Sequence, residues 1–234
     1  MAASIERIRR RLTIPEESAK EFQKAIEVNQ QKPIGQFEKF INCHPRESFI
    51  ICGCGSSLNQ YEKFDGHVVI GVNDAGRRIP CKYLVVVNEP HTFKWDRWKH
   101  VENNDSEYVF THLPNLPLMN RESKVVVNLG KPSGVNLDNY GFIDYTTNSP
   151  YMACIIAYQM GARKIGLIGV DFTLNHFFGE TGSHQVMRAI SLVLEQYANL
   201  GKALLAKGVR IANLSNESVI ESWPKMTLEE FETI

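Results

Sequence analysis

The residues of this chain best suited to chemistry stand where short apolar runs end. Ile50-Ile51-Cys52 leads into Gly53-Cys54-Gly55-Ser56-Ser57-Leu58, Val68-Val69-Ile70-Gly71-Val72 into Asn73-Asp74, Leu84-Val85-Val86-Val87 into Asn88-Glu89-Pro90, and Ile165-Gly166-Leu167-Ile168-Gly169-Val170 into Asp171. Near-continuous β-branched runs of this kind read as strands buried on both faces. Open α/β sheets bind ligands outside the carboxyl ends of such strands. Asn, Asp and Gly are ordinary turn formers after any strand, so it is the recurrence of such endings that points to a ligand crevice. In the first turn, Gly53 and Gly55 let backbone amides approach a ligand and Ser56 and Ser57 add hydroxyl donors; a tight turn without a ligand reads equally well. The turn lacks the final glycine of a dinucleotide fingerprint and the lysine of a Walker loop.

His184 is the best acid/base candidate. It follows Gly179-Glu180-Thr181-Gly182-Ser183 at the start of a predicted helix, where the positive end of the dipole disfavours imidazolium and leaves a ring able to accept a proton. A surface histidine in a capping position is the alternative. His91 and His176, just past strand ends, are weaker site candidates, and His44, His67, His100 and His112 read as structural or exposed. Asp74, Glu89 and Asp171 place three carboxylates at neighbouring strand ends; such acids hold a metal or a ribose, or simply form turns. Phe93, Trp95 and Trp98, interleaved with Lys94, Arg97 and Lys99, could stack a sugar or a base, but a segment packing its tryptophans on the sheet is the simpler reading.

These groups need a scaffold. Strands are predicted at 49–52, 68–72, 83–87, 107–111, 125–128, 165–170 and 209–212. Two helices are well signalled. One spans 150–160, with Ser149 as N-cap, Pro150 at the first helical position and Gly161 at its end; the other spans 184–207, capped by Ser183 and ended by Gly208. Each leads directly into a strand, which predicts an α/β, Rossmann-like, doubly wound and mainly parallel sheet. Residues 1–46 read as a polar helical N-terminal arm, with Phe22, Ala25 and Ile26 at helical spacing, for packing or homo-oligomer contacts. A Rossmann-like domain is placed at 47–220 and a C-terminal tail at 221–234. The stretch 93–145, richer in aromatics, Pro and Asn, reads as an excursion beyond the minimal sheet.

Composition sets the outer limits. The 234 residues carry 26 Lys plus Arg against 26 Asp plus Glu, with 43% hydrophobic residues, the make-up of a soluble globular domain. A formal charge of zero argues against a nucleic-acid binder, which depends on a basic excess, but not against a small anionic ligand. Five cysteines, an odd number mostly in apolar runs, read as reduced cytosolic thiols without a zinc site. No apolar run reaches the roughly 20 residues of a membrane span, so the expected location is cytoplasmic. The basic amphipathic stretch 4–12 leaves peripheral membrane contact as an alternative to a solvated helix face.

Taken in order, Gly53 to Leu58, Asn73, Asn88-Glu89-Pro90, Asn148-Ser149-Pro150 before a helix, Gly169-Val170-Asp171-Phe172 and Gly182-Ser183-His184 make a pattern. It resembles the small bacterial sialyltransferases and the wider family like 6-hydroxymethylpterin diphosphokinase, which includes domains of motility accessory glycosyltransferases. The similarity covers roughly 47–220. In the sialyltransferases a Gly-Asn-Gly-Pro-Ser-Leu turn holds the cytidine nucleotide, which the resemblance carries to Gly53, Cys54, Gly55, Ser56 and Ser57, with Cys54 in place of Asn and Ser56 in place of Pro. It likewise implies donor contacts by Asn73 and Asn88, a sugar contact by Ser149, and His184 as general base. Those enzymes steady the leaving phosphate with tyrosines; here the interval 173–183 is shorter and holds Phe177 and Phe178 but no Tyr.

Three readings follow. The first is a nucleotide-dependent transferase, glycosyltransferase-like, using a nucleotide-sugar donor and a small-molecule or glycan acceptor, with no cofactor firmly implied. The second is an ATP-dependent diphosphokinase acting on a pterin-like alcohol, which implies Mg2+ held by Asp74, Glu89 and Asp171. The third is a catalytically silent domain that binds a nucleotide or a partner protein.

Overall fold

The computed structural model describes residues 35–173, 175–180 and 189–234. Most of the predicted arm (1–34), the cap Ser183 and His184 lie outside the described residues. Strand β1 (Ser48–Cys52) turns Phe49 and Ile51 to one face and Ile50 and Cys52 to the other, and all four are completely buried. A strand that is apolar on both sides belongs in the middle of a sheet, and β1 is there. Its neighbours are β2 (Val68–Val72), β3 (Tyr83–Val85), β4 (Tyr108–Thr111) and β5 (Lys124–Val126) on one side. On the other lie β8 (Lys164–Ile168) and β11 (Arg210–Asn213). The order is β11-β8-β1-β2-β3-β4-β5 and every pairing is parallel. The chain works outward from β1 to β5, then returns to build β8 and β11 on β1's other flank. The strand order therefore reverses between β1 and β8, as in a doubly wound sheet.

The predicted strand 125–128 is in fact two. After β5, the Val127 amide still donates to the Thr111 carbonyl at 2.8 Å. The chain then leaves the main sheet as β6 (Asn128–Pro132), which pairs in parallel with β7 (Phe142–Tyr145). Buried Asp144 on β7 holds this excursion by accepting the amides of Lys131 (2.6 Å) and Asn136 (2.7 Å). A short antiparallel hairpin, β9 (Asn175–His176) and β10 (Gly179–Glu180), follows β8.

Helix α1 (Arg97–Glu102) lies between β3 and β4. Helix α2 (Ser149–Gln159) is buried almost all round, as befits a helix apolar on every side; it packs against β7 and against β1, β2 and β3. Its N-cap is Asn148 rather than Ser149, with Ser149 and Pro150 inside the first turn, and Gly161 at φ +106° ends it. Helix α3 (Ile190–Ala206) ends as expected before Gly208 at φ +76°.

The first described residues already belong to the core. Phe37 and Phe40 of the 3-10 turn Gly35–Phe40 are buried, Phe40 packing edge-on against Tyr108 and Phe110 at 4.8 and 4.9 Å between ring centroids. The predicted tail is also core: Trp223 is buried and donates to the Tyr197 carbonyl at 3.0 Å, and Phe231 of α4 (Leu228–Thr233) is buried on the sheet's other face. All five thiols are free. Among the described residues, no helix is long and apolar enough to cross a membrane.

Candidate functional site

At the switch point the turn after β1 is clasped to the turn after β8. Gly53 and Gly55 donate their amides to the carbonyls of Ile168 (2.8 Å) and Gly169 (2.7 Å). A Cβ on Gly53 would sit 2.2 Å from the Gly169 carbonyl oxygen, and one on Gly55 would sit 2.3 Å from an Asp171 carboxylate oxygen. Glycine is required here because two backbones meet. Asp171, 1% exposed, accepts from the Ser57 amide (2.9 Å), the Ser57 hydroxyl (2.7 Å) and the Ser215 hydroxyl (2.7 Å), while the Gly169 amide donates to the Ser57 hydroxyl (2.9 Å). Ser56 donates to Glu217 at 2.7 Å. The donors expected to face a ligand from Gly53, Gly55, Ser56 and Ser57 are thus spent within the protein, and the turn contributes shape. Cys54 is buried as well: its sulfur lies 3.4 Å from the Val72 carbonyl and 3.5 Å from Asp74. Burial, then the Asp74 charge, pushes the thiol far up against the opposing pull of Arg97, so it stays protonated.

The three carboxylates do not form a metal site. Asp74, also 1% exposed, is gripped by Arg97, whose Nε lies 3.0 and 3.1 Å from its two oxygens. Such side-on pairing offsets the cost of a buried charge and leaves the carboxylate poorly placed to take a cation. Asp171 is saturated by hydroxyls and an amide, and Glu89 is exposed. Among the described residues no three His, Cys, Asp or Glu side chains converge. The Mg2+ expected on the diphosphokinase reading does not fit these residues.

What remains open at the strand ends is amide, hydroxyl and guanidinium chemistry. Asn73 and Asn88, both half-buried, are brought together, the Asn88 amide nitrogen 3.5 Å from the Asn73 side-chain oxygen. Asn73 sits at φ +53°, a conformation Asn tolerates better than most residues. Ser149 opens α2 on the same edge of the sheet, 4% exposed, beside Asn148, whose side-chain oxygen accepts from the Tyr197 hydroxyl.

The β9–β10 hairpin lies across the first turn. The Phe177 amide donates to the Cys54 carbonyl (3.0 Å) and Asn59 donates to the Phe177 carbonyl (3.1 Å). Arg97 lies over the Phe178 ring at 4.8 Å, Arg77 lies 5.7 Å from the same ring, and His176 stacks on Phe178 at 5.1 Å. In this hairpin the sequence offers His176 as a weaker candidate and Phe177 and Phe178 where the resembling enzymes have tyrosines; Arg77 was not legible, because its partners come from other elements, the one signal being an arginine after the polar end of β2. The other histidines behave as structural groups: His44 bonds the Tyr83 hydroxyl (2.7 Å), His100 faces Asp96 (3.3 Å), and burial pushes His112 down to about 4.

No family model matches this chain, and no curated protein matches it in sequence. Solved structures do match in fold. The sialyltransferase CstII from Campylobacter jejuni in complex with cytidine-5'-monophosphate superposes with a TM-score of 0.50 at 14% identity, over 78% of this chain and 86% of that one. Sialyltransferase CST-II with a trisaccharide acceptor and CMP gives 0.50 at 13% identity, over 77% and 86%. The MAf glycosyltransferase from Magnetospirillum magneticum AMB-1 gives 0.53 at 14% identity, over 81% of this chain but 34% of that longer one. These neighbours lend no support to the diphosphokinase side of the resemblance. The chain shares the α/β fold of these bacterial sialyl- and glycosyltransferases, and identities of 13–14% make that a statement about fold.

Proposed function

We propose that the protein is a glycosyltransferase that moves a sugar from a cytidine-activated donor to a glycan hydroxyl. The observation that carries this reading is the pairing of Asn73 and Asn88 beyond the carboxyl ends of β2 and β3, on a fold that CstII shows with CMP bound. Asn73, Asn88 and Ser149 hold the donor. The first turn of α2 and Arg77 face its phosphate, placing positive potential where charge develops as the nucleotide leaves. His184 takes the proton of the acceptor hydroxyl as its oxygen attacks the anomeric carbon, and the nucleotide departs with the electrons of the broken C–O bond. Arg77 thereby does in this chain what tyrosines do in the resembling enzymes.

A thermal-shift screen against CMP, UDP, GDP and ATP, each with and without Mg2+, tests the reading. CMP is expected to raise the melting temperature without metal, since a ligand at a hundred times its Kd stabilises by about 2.7 kcal/mol. Stabilisation by ATP and only with Mg2+, or by no nucleotide, contradicts it.

A further inference from the structure

The three tryptophans have very different settings. Trp223 is fully buried, Trp98 packs edge-on against Phe93 at 5.5 Å between centroids, and Trp95 leaves 68% of its surface exposed. Trp95 also stands at φ +56°, in the left-handed region that bulky side chains avoid. Neither property serves the fold: burying the ring would stabilise the domain, and glycine at this position would relieve the backbone. Strain of this kind gathers at functional sites, and here it gathers at one edge of the molecule. Of the six non-glycine residues with positive φ among the described residues, Asn73, Trp95, Ser133 and Phe172 lie in the loops that follow β2, β3, β6 and β8.

The exposed ring is also firmly mounted. Two residues before it, Phe93 is packed against Trp98; two residues after it, Arg97 is bound to Asp74 and lies over Phe178. The next residue, Asp96, faces His100 at 3.3 Å and Arg77 at 3.9 Å. A flat aromatic face is thus held out in the loop that follows β3, with the charged side chains of Lys94 and Asp96 on either side in sequence. A pyranose ring matches both features. Its C–H face is apolar and slightly positive, complementary to the negative face of an indole, and its hydroxyls suit charged neighbours.

We infer that Trp95 is the platform on which a sugar ring of the acceptor glycan stacks, an inference that rests on the glycosyltransferase reading above. The test uses the full chain, Trp95→Gly and Trp95→Tyr, with methyl β-galactoside, methyl β-glucoside and methyl β-N-acetylglucosaminide as probes, followed by saturation-transfer NMR and tryptophan emission. CMP binding by calorimetry and sedimentation with phosphatidylglycerol vesicles are measured on the same samples. Wild type is expected to bind at least one glycoside. Trp95→Gly should weaken that binding about tenfold or more and Trp95→Tyr by no more than about threefold, the scale of losing or trimming one stacked ring. Trp95→Gly should melt no lower than wild type and bind CMP unchanged. Equal glycoside binding by wild type and Trp95→Gly overturns the inference. So does CMP binding without any glycoside binding, or a Trp95→Gly defect confined to vesicle sedimentation. If wild type binds neither CMP nor a glycoside, the glycosyltransferase reading itself fails.

Discussion

Replacing His184 by alanine is expected to lower turnover by about 10²–10⁴-fold, the usual worth of a positioned general base, while CMP affinity stays within about twofold of wild type. The two halves of this result are separable because the proposed roles are separable: the nucleotide is held by Asn73, Asn88 and Ser149, and the proton is taken by the histidine. The pH profile adds an independent check. A base must be deprotonated to work, so kcat/KM should rise with pH along an acid limb and level off above it; in the alanine variant that acid limb disappears. Steady-state transfer assays across pH, with CMP calorimetry on the same preparations, measure both. If the variant keeps its turnover, His184 is not the base. If it loses CMP binding as well, its role is structural or in the donor site.

The second large effect concerns stability. Asp171→Ala removes the acceptor shared by the Ser57 amide, the Ser57 hydroxyl and the Ser215 hydroxyl in a buried setting. Stranded buried donors cost about 1–3 kcal/mol each, and a rotating hydroxyl recovers part of that. A loss of about 3–5 kcal/mol is therefore expected, a large fraction of the 5–15 kcal/mol that holds a domain together. Asp171→Asn should fall between the two. With its amide nitrogen in place of Oδ2, the Ser57 amide faces another donor at 2.9 Å while both hydroxyls keep their acceptor; with the nitrogen in place of Oδ1, the Ser57 amide keeps its acceptor and the two hydroxyls must turn to accept. Urea denaturation with coincident fluorescence and circular dichroism gives the values. If Asp171→Ala instead keeps full stability and loses activity only, the carboxylate works on a ligand and the clasp account is wrong.

That clasp shows where the sequence was readable and where it was not. The strands β1, β2, β8 and β11 were visible because residues such as Phe49, Ile50 and Ile51 are apolar on both faces, which only a central strand explains. Helix α2 was visible through Pro150 and Gly161, whose backbone preferences act locally. The switch-point turn was also found at the right place, Gly53 to Ser57, but local sequence left open whether its donors serve a ligand or the fold. The partners that claim them, Ile168, Gly169 and Asp171, are more than a hundred residues away, and no local pattern announces them. Asp74 is a similar case: open in sequence between a metal or ribose ligand and a turn former, it is held by Arg97, 23 positions along, and their meeting depends on how α1 folds back. The strand at 125–128 was misread because the force that divides it, Asp144 gathering the Lys131 and Asn136 amides, belongs to the next strand. Trp95 was seen as an aromatic in a mixed segment, but its backbone conformation has no signature in residue type.

The reading as a whole turns on a nucleotide lying against the paired asparagines. Calorimetric titration of CMP in the presence of EDTA, on wild type, Asn88→Ala and Asn73→Gly (glycine preserving the positive φ), tests this most directly. Saturable one-site binding in wild type, weakened about tenfold or more in each variant as a hydrogen-bonding side chain is lost, is the expected result. The absence of CMP binding, or an affinity that both substitutions leave unchanged, would contradict the account.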